Sequence, residues 1–99
     1  MINQISTQTL KALKKDQNIQ VIDVRESGEY ASGHVPGAIN MPLSLLPYTF
    51  QDLKKDQPYY IICQSGARSM RACQFLDQEG YQVTNVIGGT QAWPDPLDH

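Results

Sequence analysis

The sequence predicts an α/β fold: a mostly parallel sheet with helices on both faces. Three observations predict it. Apolar, β-branched runs of strand length at residues 19–24, 59–63 and 83–87 alternate with segments of helical pattern. The first of these runs is near-continuously apolar, as suits a strand buried on both faces. Glycine and proline punctuate the joints, at Gly33, Pro36-Gly37, Pro42, Gly66, Gly80, Gly88-Gly89 and Pro94.

The elements follow in order. Ile5-Ser6-Thr7-Gln8-Thr9-Leu10 reads as a helix start, with Ser6 as N-cap and Ile5 and Leu10 spaced as a hydrophobic staple. That helix runs to about Lys15, and Asp16-Gln17-Asn18 ends it. A strand follows over 19–24. Ser27 is the expected cap of a short helix ending near Gly33. His34-Val35-Pro36-Gly37 reads as a turn, and 38–41 as a short strand closed by Pro42. Within 44–55, Pro47 argues for helix only from about Tyr48. After the strand at 59–63, Gln64-Ser65-Gly66 is a tight loop. From Ala67 the chain turns helical, with Met70, Ala72, Cys73 and Leu76 on one face and Gln74, Asp77 and Gln78 on the other. Gly80 stops that helix. The strand at 83–87 is the last, and 90–93 forms at most one helical turn before Pro94.

With 99 residues, the chain reads as one domain over 1–99. At this size folding buries roughly 60–70% of the surface of the unfolded chain, so no disulfide or metal staple is needed. The formal net charge is −2 with the two signs mixed, and no basic stripe marks a nucleic-acid partner. No apolar stretch approaches the roughly 20 residues that span a membrane. Met1-Ile2-Asn3-Gln4 lacks the basic start of a signal peptide. The expected location is the cytoplasm, where thiols stay reduced, and an exposed cysteine there invites a chemical explanation.

That cysteine is Cys63, at the head of the loop Cys63-Gln64-Ser65-Gly66-Ala67-Arg68. The order strand, cysteine, short glycine-bearing loop, helix has a physical purpose. The strand fixes the thiol at the end of the sheet, where α/β proteins bind ligands. Gly66 permits backbone angles other residues resist, so successive N–H groups can turn inward as an anion-binding nest. The helix from Ala67 adds the positive end of its dipole, and Arg68 and Arg71 add charge. A thiol in that field ionises below the ordinary value of about 8.5 and becomes a nucleophile. The same cradle suits an oxyanion or a persulfide on Cys63, with Ser65 and Ser69 as further donors. Loop length separates the reaction classes. Cysteine-dependent phosphatases carry five residues between nucleophile and arginine; here Gln64 to Ala67 gives four. The smaller ring of amides fits a sulfur atom better than a phosphate.

Four stretches resemble the single-domain rhodaneses, the thiosulfate sulfurtransferase family. Val21-Ile22-Asp23-Val24-Arg25-Glu26 with Glu29-Tyr30 is similar to the family's early D-V-R motif. Gly33-His34-Val35-Pro36-Gly37-Ala38-Ile39-Asn40-Met41-Pro42 is similar to its G-H-I-P-G-A-x-N-x-P segment. Cys63 to Ser69 is similar to the active loop, and Gly88-Gly89-Thr90-Gln91-Ala92-Trp93 to the closing G-G-x-x-A-W. The resemblance implies a five-stranded parallel sheet flanked by helices. It also implies sulfur transfer from thiosulfate or another sulfane donor through a Cys63 persulfide to a thiol or protein acceptor. The amides from Gln64 to Ser69 would stabilise the persulfide, Arg68 would attract the donor anion, and no metal or organic cofactor would be needed. The domain would work as a monomer. One departure stands out: Pro94-Asp95-Pro96 follows Trp93 at once, so the usual last helix is cut short.

Other candidates weigh toward structure. Asp23 and Arg25 read first as an ion pair at a strand end, with orientation of the active loop as the alternative. His34 sits in a turn motif and need not act as a base. Cys73 falls on the apolar face of its helix, Trp93 anchors the last turn, and no His/Cys spacing suggests a metal site. Two other functions stay open at this point: a sulfur-carrier or docking module, and a phosphatase or arsenate reductase on a related scaffold.

Overall fold

The computed structural model describes residues 1–99. Five parallel strands, β1 (Asn3–Ser6), β2 (Gln20–Asp23), β3 (Ile39–Asn40), β4 (Pro58–Ile62) and β5 (Gln82–Ile87), lie in the order β1-β5-β4-β2-β3. Four helices connect and cover them: α1 (Thr7–Asp16), α2 (Ser27–Ser32), α3 (Leu46–Thr49) and α4 (Ala67–Gln78). No helix is long and apolar enough to cross a membrane.

Because successive strand residues point to opposite faces, the central strands feed two cores. Ile22, Val24, Tyr59, Ile61 and Cys63 pack with Leu46, Ala72, Cys73 and Leu76 under α3 and α4. Val21, Ile62 and Val86 pack on the other face with Leu10 of α1, Val35 and Ala38. This two-sided burial explains the apolar runs, and it confirms helices on both faces.

β1 is the element the sequence pattern hid. Residues 3–6 are mostly exposed and only Ile5 is half-buried, so the strand carries no apolar period. It is held by pairing, with Ile5 opposite Val86 at the sheet edge. Ser6 ends β1 and caps α1, its Oγ accepting the Thr9 N–H at 3.0 Å, and Lys14 and Lys15 fall in the last turn, where the dipole favours cations.

Three local boundaries differ from expectation. Glu26, not Ser27, occupies the N-cap of α2, where its N–H donates to Glu29 Oε1 at 3.2 Å. β3 is only two residues long because it is an edge strand paired to β2 alone. Helix α3 starts at Leu46, before Pro47, because a proline in the first turn gives up only an N–H that has no helical partner. At the other end, Trp93 is extended after one 3-10 turn, Thr90–Ala92. The tail then returns to the body: Asp98 and His34 exchange backbone hydrogen bonds of 2.9 Å each way, and Leu97 packs on the second core.

The register aligns the carboxyl ends of the central strands, with Asp23 opposite both Ile62 and Asn40. Cys63, Arg25 and the N-terminus of α4 therefore meet on one rim, the position at which open α/β sheets bind ligands.

Candidate functional site

Cys63 follows the last residue of β4, and Gly66 is the N-cap of α4. The three residues from Gln64 to Gly66 must reverse the chain between them. Gly66 does so at φ 115°, a left-handed angle that a side chain would strain. Its N–H then points back at Cys63, with N···Sγ 3.1 Å.

The loop's carbonyls face the opposite way, and each has a partner in β5 or in the segment after it. Thr90 N–H and Oγ1 donate to the Cys63 carbonyl at 2.9 and 3.1 Å. Gln91 N–H donates to the Gln64 carbonyl at 3.2 Å, and Gly88 N–H to that of Ser65 at 3.3 Å. Asn85 Nδ2 donates to the Gly66 carbonyl at 3.3 Å. With its carbonyls engaged outside, the loop turns the Ser65 and Gly66 N–H groups toward the sulfur, joined by that of Ser69, in the manner of an anion nest.

Cys63 is only 1% exposed, where the sequence suggested an exposed cysteine. The thiol lies at the floor of the loop because it also closes the core under α4. Burial pushes its pKa up. The Ser69 hydroxyl and the amides of Ser69, Gly66 and Ser65 pull it down by more, so the net shift is below the ordinary thiol value. Ser69 is itself fully buried, and its hydroxyl lies 2.5 Å from Asn85 Oδ1. A serine has one hydroxyl proton, so Cys63 and Asn85 compete for it.

Two arginines stand on the rim, and neither is free. Asp23 and Arg25 form a buried pair: the Arg25 side chain reaches both Asp23 oxygens at 2.9–3.1 Å, and its backbone N–H donates to Oδ1 at 2.9 Å. Arg25 also donates to the Gly33 carbonyl at 2.7 Å and to Gln64 Oε1 at 3.4 Å. The pair is an ion pair at a strand end, as expected first, and also touches the Cys63 loop through Gln64. Arg68 turns to Glu29 of α2 in a bidentate bridge of 2.6 and 2.9 Å. That guanidinium, backed by the Glu26 N–H, holds the Glu29 carboxyl down at about 2 despite its partial burial.

The remaining candidates add no side-chain hydrogen bond to the sulfur. Ala67 opens α4 and is exposed, as are Gln64 and Ser65. His34 stacks on Tyr30 with ring centres 3.7 Å apart, and its Nδ1 meets the Tyr30 carbonyl at 2.9 Å. Cys73 is a free thiol with no exposure, which burial, Asp77 and Cys63 push up to about 12. Trp93 packs on the second core. The places of Glu29, Asn85, Gly89 and Thr90 around the Cys63 loop were not legible in the sequence. Only the Gly88-Gly89 dipeptide signalled a special backbone, and it gave no hint of which loop it supports.

A family model for the rhodanese-like domain matches residues 6–95. The chain is 38% identical over 95 residues to a sulfurtransferase of Allochromatium vinosum, an alignment covering 94% of this chain and 89% of that one. It is 28% identical over 90 residues to the thiosulfate sulfurtransferase GlpE of Shewanella oneidensis, covering 90% and 89%. A rhodanese-like domain protein from Staphylococcus aureus superposes with a TM-score of 0.92 at 33% identity, over 98% of this chain and 97% of that one.

Proposed function

This chain belongs to the rhodanese-like family of sulfurtransferases, and from that premise we propose that it carries sulfane sulfur as a persulfide on Cys63. The Cys63 thiolate attacks the outer sulfur of thiosulfate or another sulfane donor. A new S–S bond forms to Cys63 and the donor's S–S bond breaks. Sulfite, or the donor thiolate, leaves with the electron pair. An acceptor then attacks the outer sulfur of the Cys63 persulfide and releases the thiolate; cyanide serves in an assay, and a thiol, small or protein-borne, in the cell. Oxidation states balance within these steps, so the cycle needs no external oxidant or reductant.

One observation carries this proposal: the Gly66 N–H lies 3.1 Å from Cys63 Sγ, in a loop whose carbonyls are engaged on the far side. Such a cradle stabilises a small sulfur anion with neutral dipoles. Asp23 and Arg25 act as support, holding Gln64 from the side. Phosphate chemistry finds less support, because its transition state needs cationic oxygen ligands and Arg68 is bound to Glu29.

The test is a two-step exchange. Protein incubated with thiosulfate, or with an alkyl persulfide, should gain one sulfur atom, and cyanide should discharge it as thiocyanate. A wild-type protein that takes sulfur from neither donor would refute the proposal, as would Cys63-dependent turnover of an aryl phosphate in its place.

A further inference from the structure

We infer that this site is built for a sulfane donor of low charge, a persulfide with an uncharged tail, in preference to the thiosulfate dianion. The inference deepens the sulfur-transfer proposal and rests on it.

It comes from counting the charges around the cradle. Arg68, in the first turn of α4, is the cation nearest the mouth, and Glu29 takes both arms of its guanidinium. Arg25 is bound to Asp23 by three side-chain contacts and also donates to Gly33 and Gln64. Glu26 lies on the same rim, accepting from the Ser44 hydroxyl at 2.9 Å with no cation beside it. Two arginines therefore face three carboxylates. The other arginine, Arg71, lies one turn further along α4, beside Leu43, Leu46 and Phe75. What remains for the reacting sulfur is the amide cradle, whose neutral dipoles suit one negative charge.

The two donor classes load this site differently. Thiosulfate brings two negative charges to the Cys63 thiolate, so the reacting pair carries three. A persulfide R–S–SH or R–S–S⁻ brings none or one, for a total of one or two. In both cases Cys63 Sγ bonds to the outer sulfur and the donor S–S bond breaks. The electron pair leaves on sulfite in the first case and on RS⁻ in the second. Only the first places an uncompensated dianion against Glu29 and Glu26. The carboxyl of Glu29 is held so low that it stays ionised at any working pH.

The inference predicts that removing one negative charge helps thiosulfate selectively. Glu29→Gln keeps an acceptor oxygen for the Glu26 N–H, and Glu29 is partly exposed, so the fold should survive; a thermal melt verifies this. The rate of sulfur loading onto Cys63 would be measured by quenched mass spectrometry, with thiosulfate and with the persulfide of 2-mercaptoethanol. The variant should load from thiosulfate about tenfold faster, the scale of one unpaired charge near a protein surface. Loading from the mercaptoethanol persulfide should stay within about twofold, and high salt should shrink the thiosulfate gain. A thiosulfate rate that is unchanged, falls, or rises only in step with the persulfide rate overturns the inference and leaves sulfur transfer standing. Wild-type protein that loads from neither donor overturns both.

Discussion

Gly89 lies so close to Gln64 that a β-carbon there would stand 2.4 Å from the Gln64 carbonyl oxygen. Its backbone, at φ 61° and ψ −158°, is also in a region reserved for glycine. This contact lets the segment from Gly88 to Gln91 reach the outer carbonyls of the loop, which in turn aims the inner amides at Cys63. Gly89→Ala should cost at least about 1–3 kcal/mol in stability and slow sulfur loading of Cys63. Gly28→Ala is the control. Gly28 sits in α2 with nothing within 4 Å of its absent side chain, so alanine there should be neutral or stabilising by up to about 1 kcal/mol, with loading unchanged. Urea melts and loading rates on both variants check this.

Cys63 and Cys73 differ in environment rather than in kind. In native protein a small alkylating reagent should label Cys63 and spare Cys73, and its pH profile should have a midpoint below that of the same thiol in the unfolded chain. The sign for stability follows. The native thiol loses its proton at lower pH than the unfolded one. Stability should therefore increase as pH rises from the native midpoint toward about 8.5, and be lost as pH falls back through that midpoint. Cys63→Ser should abolish this slope, while Cys73→Ser should keep sulfur loading.

The Asp23–Arg25 pair, 0% and 4% exposed, should be costly to break. Arg25→Ala leaves a buried carboxylate alone and should cost about 3–5 kcal/mol. Arg25→Lys should rescue little, because a lysine cannot span Asp23, Gly33 and Gln64 at once. A denaturant titration of both variants provides the comparison.

The Glu29–Arg68 bridge is 40% and 36% exposed, so solvent screens it and its worth should stay below about 1 kcal/mol. Its pH window is nonetheless defined. The native carboxyl titrates near 2, against about 4.3 unfolded. The bridge's contribution should be complete above about 4.3 and vanish as pH falls toward 2. Thermal melts of wild type and Glu29→Gln across that range should converge at the acid end.

Much of this was readable in the chain because the physics is local. Buried parallel strands leave apolar runs, which is why β2 and β4 were evident near Val21 and Ile61, and β-branched residues marked β5 near Val86. The strand-to-helix turn at Cys63 was evident from Gly66 and the amphipathic face of α4. What escaped depends on pairing across the fold. β1 is polar and owes its place to β5. Glu29 and Arg68 are 39 residues apart, and nothing in either neighbourhood announces the bridge. The exposure of Cys63 was misjudged for the same reason: the strand that presents the thiol also buries it in the core under α4.

The most direct measurement is peptide-level mass spectrometry after brief incubation with a sulfane donor. The account predicts one added sulfur on the peptide carrying Cys63, none on Cys73, removal by cyanide, and no adduct on a Cys63→Ser protein. Sulfur found on Cys73, or an unmodified Cys63 in folded wild-type protein, would contradict it.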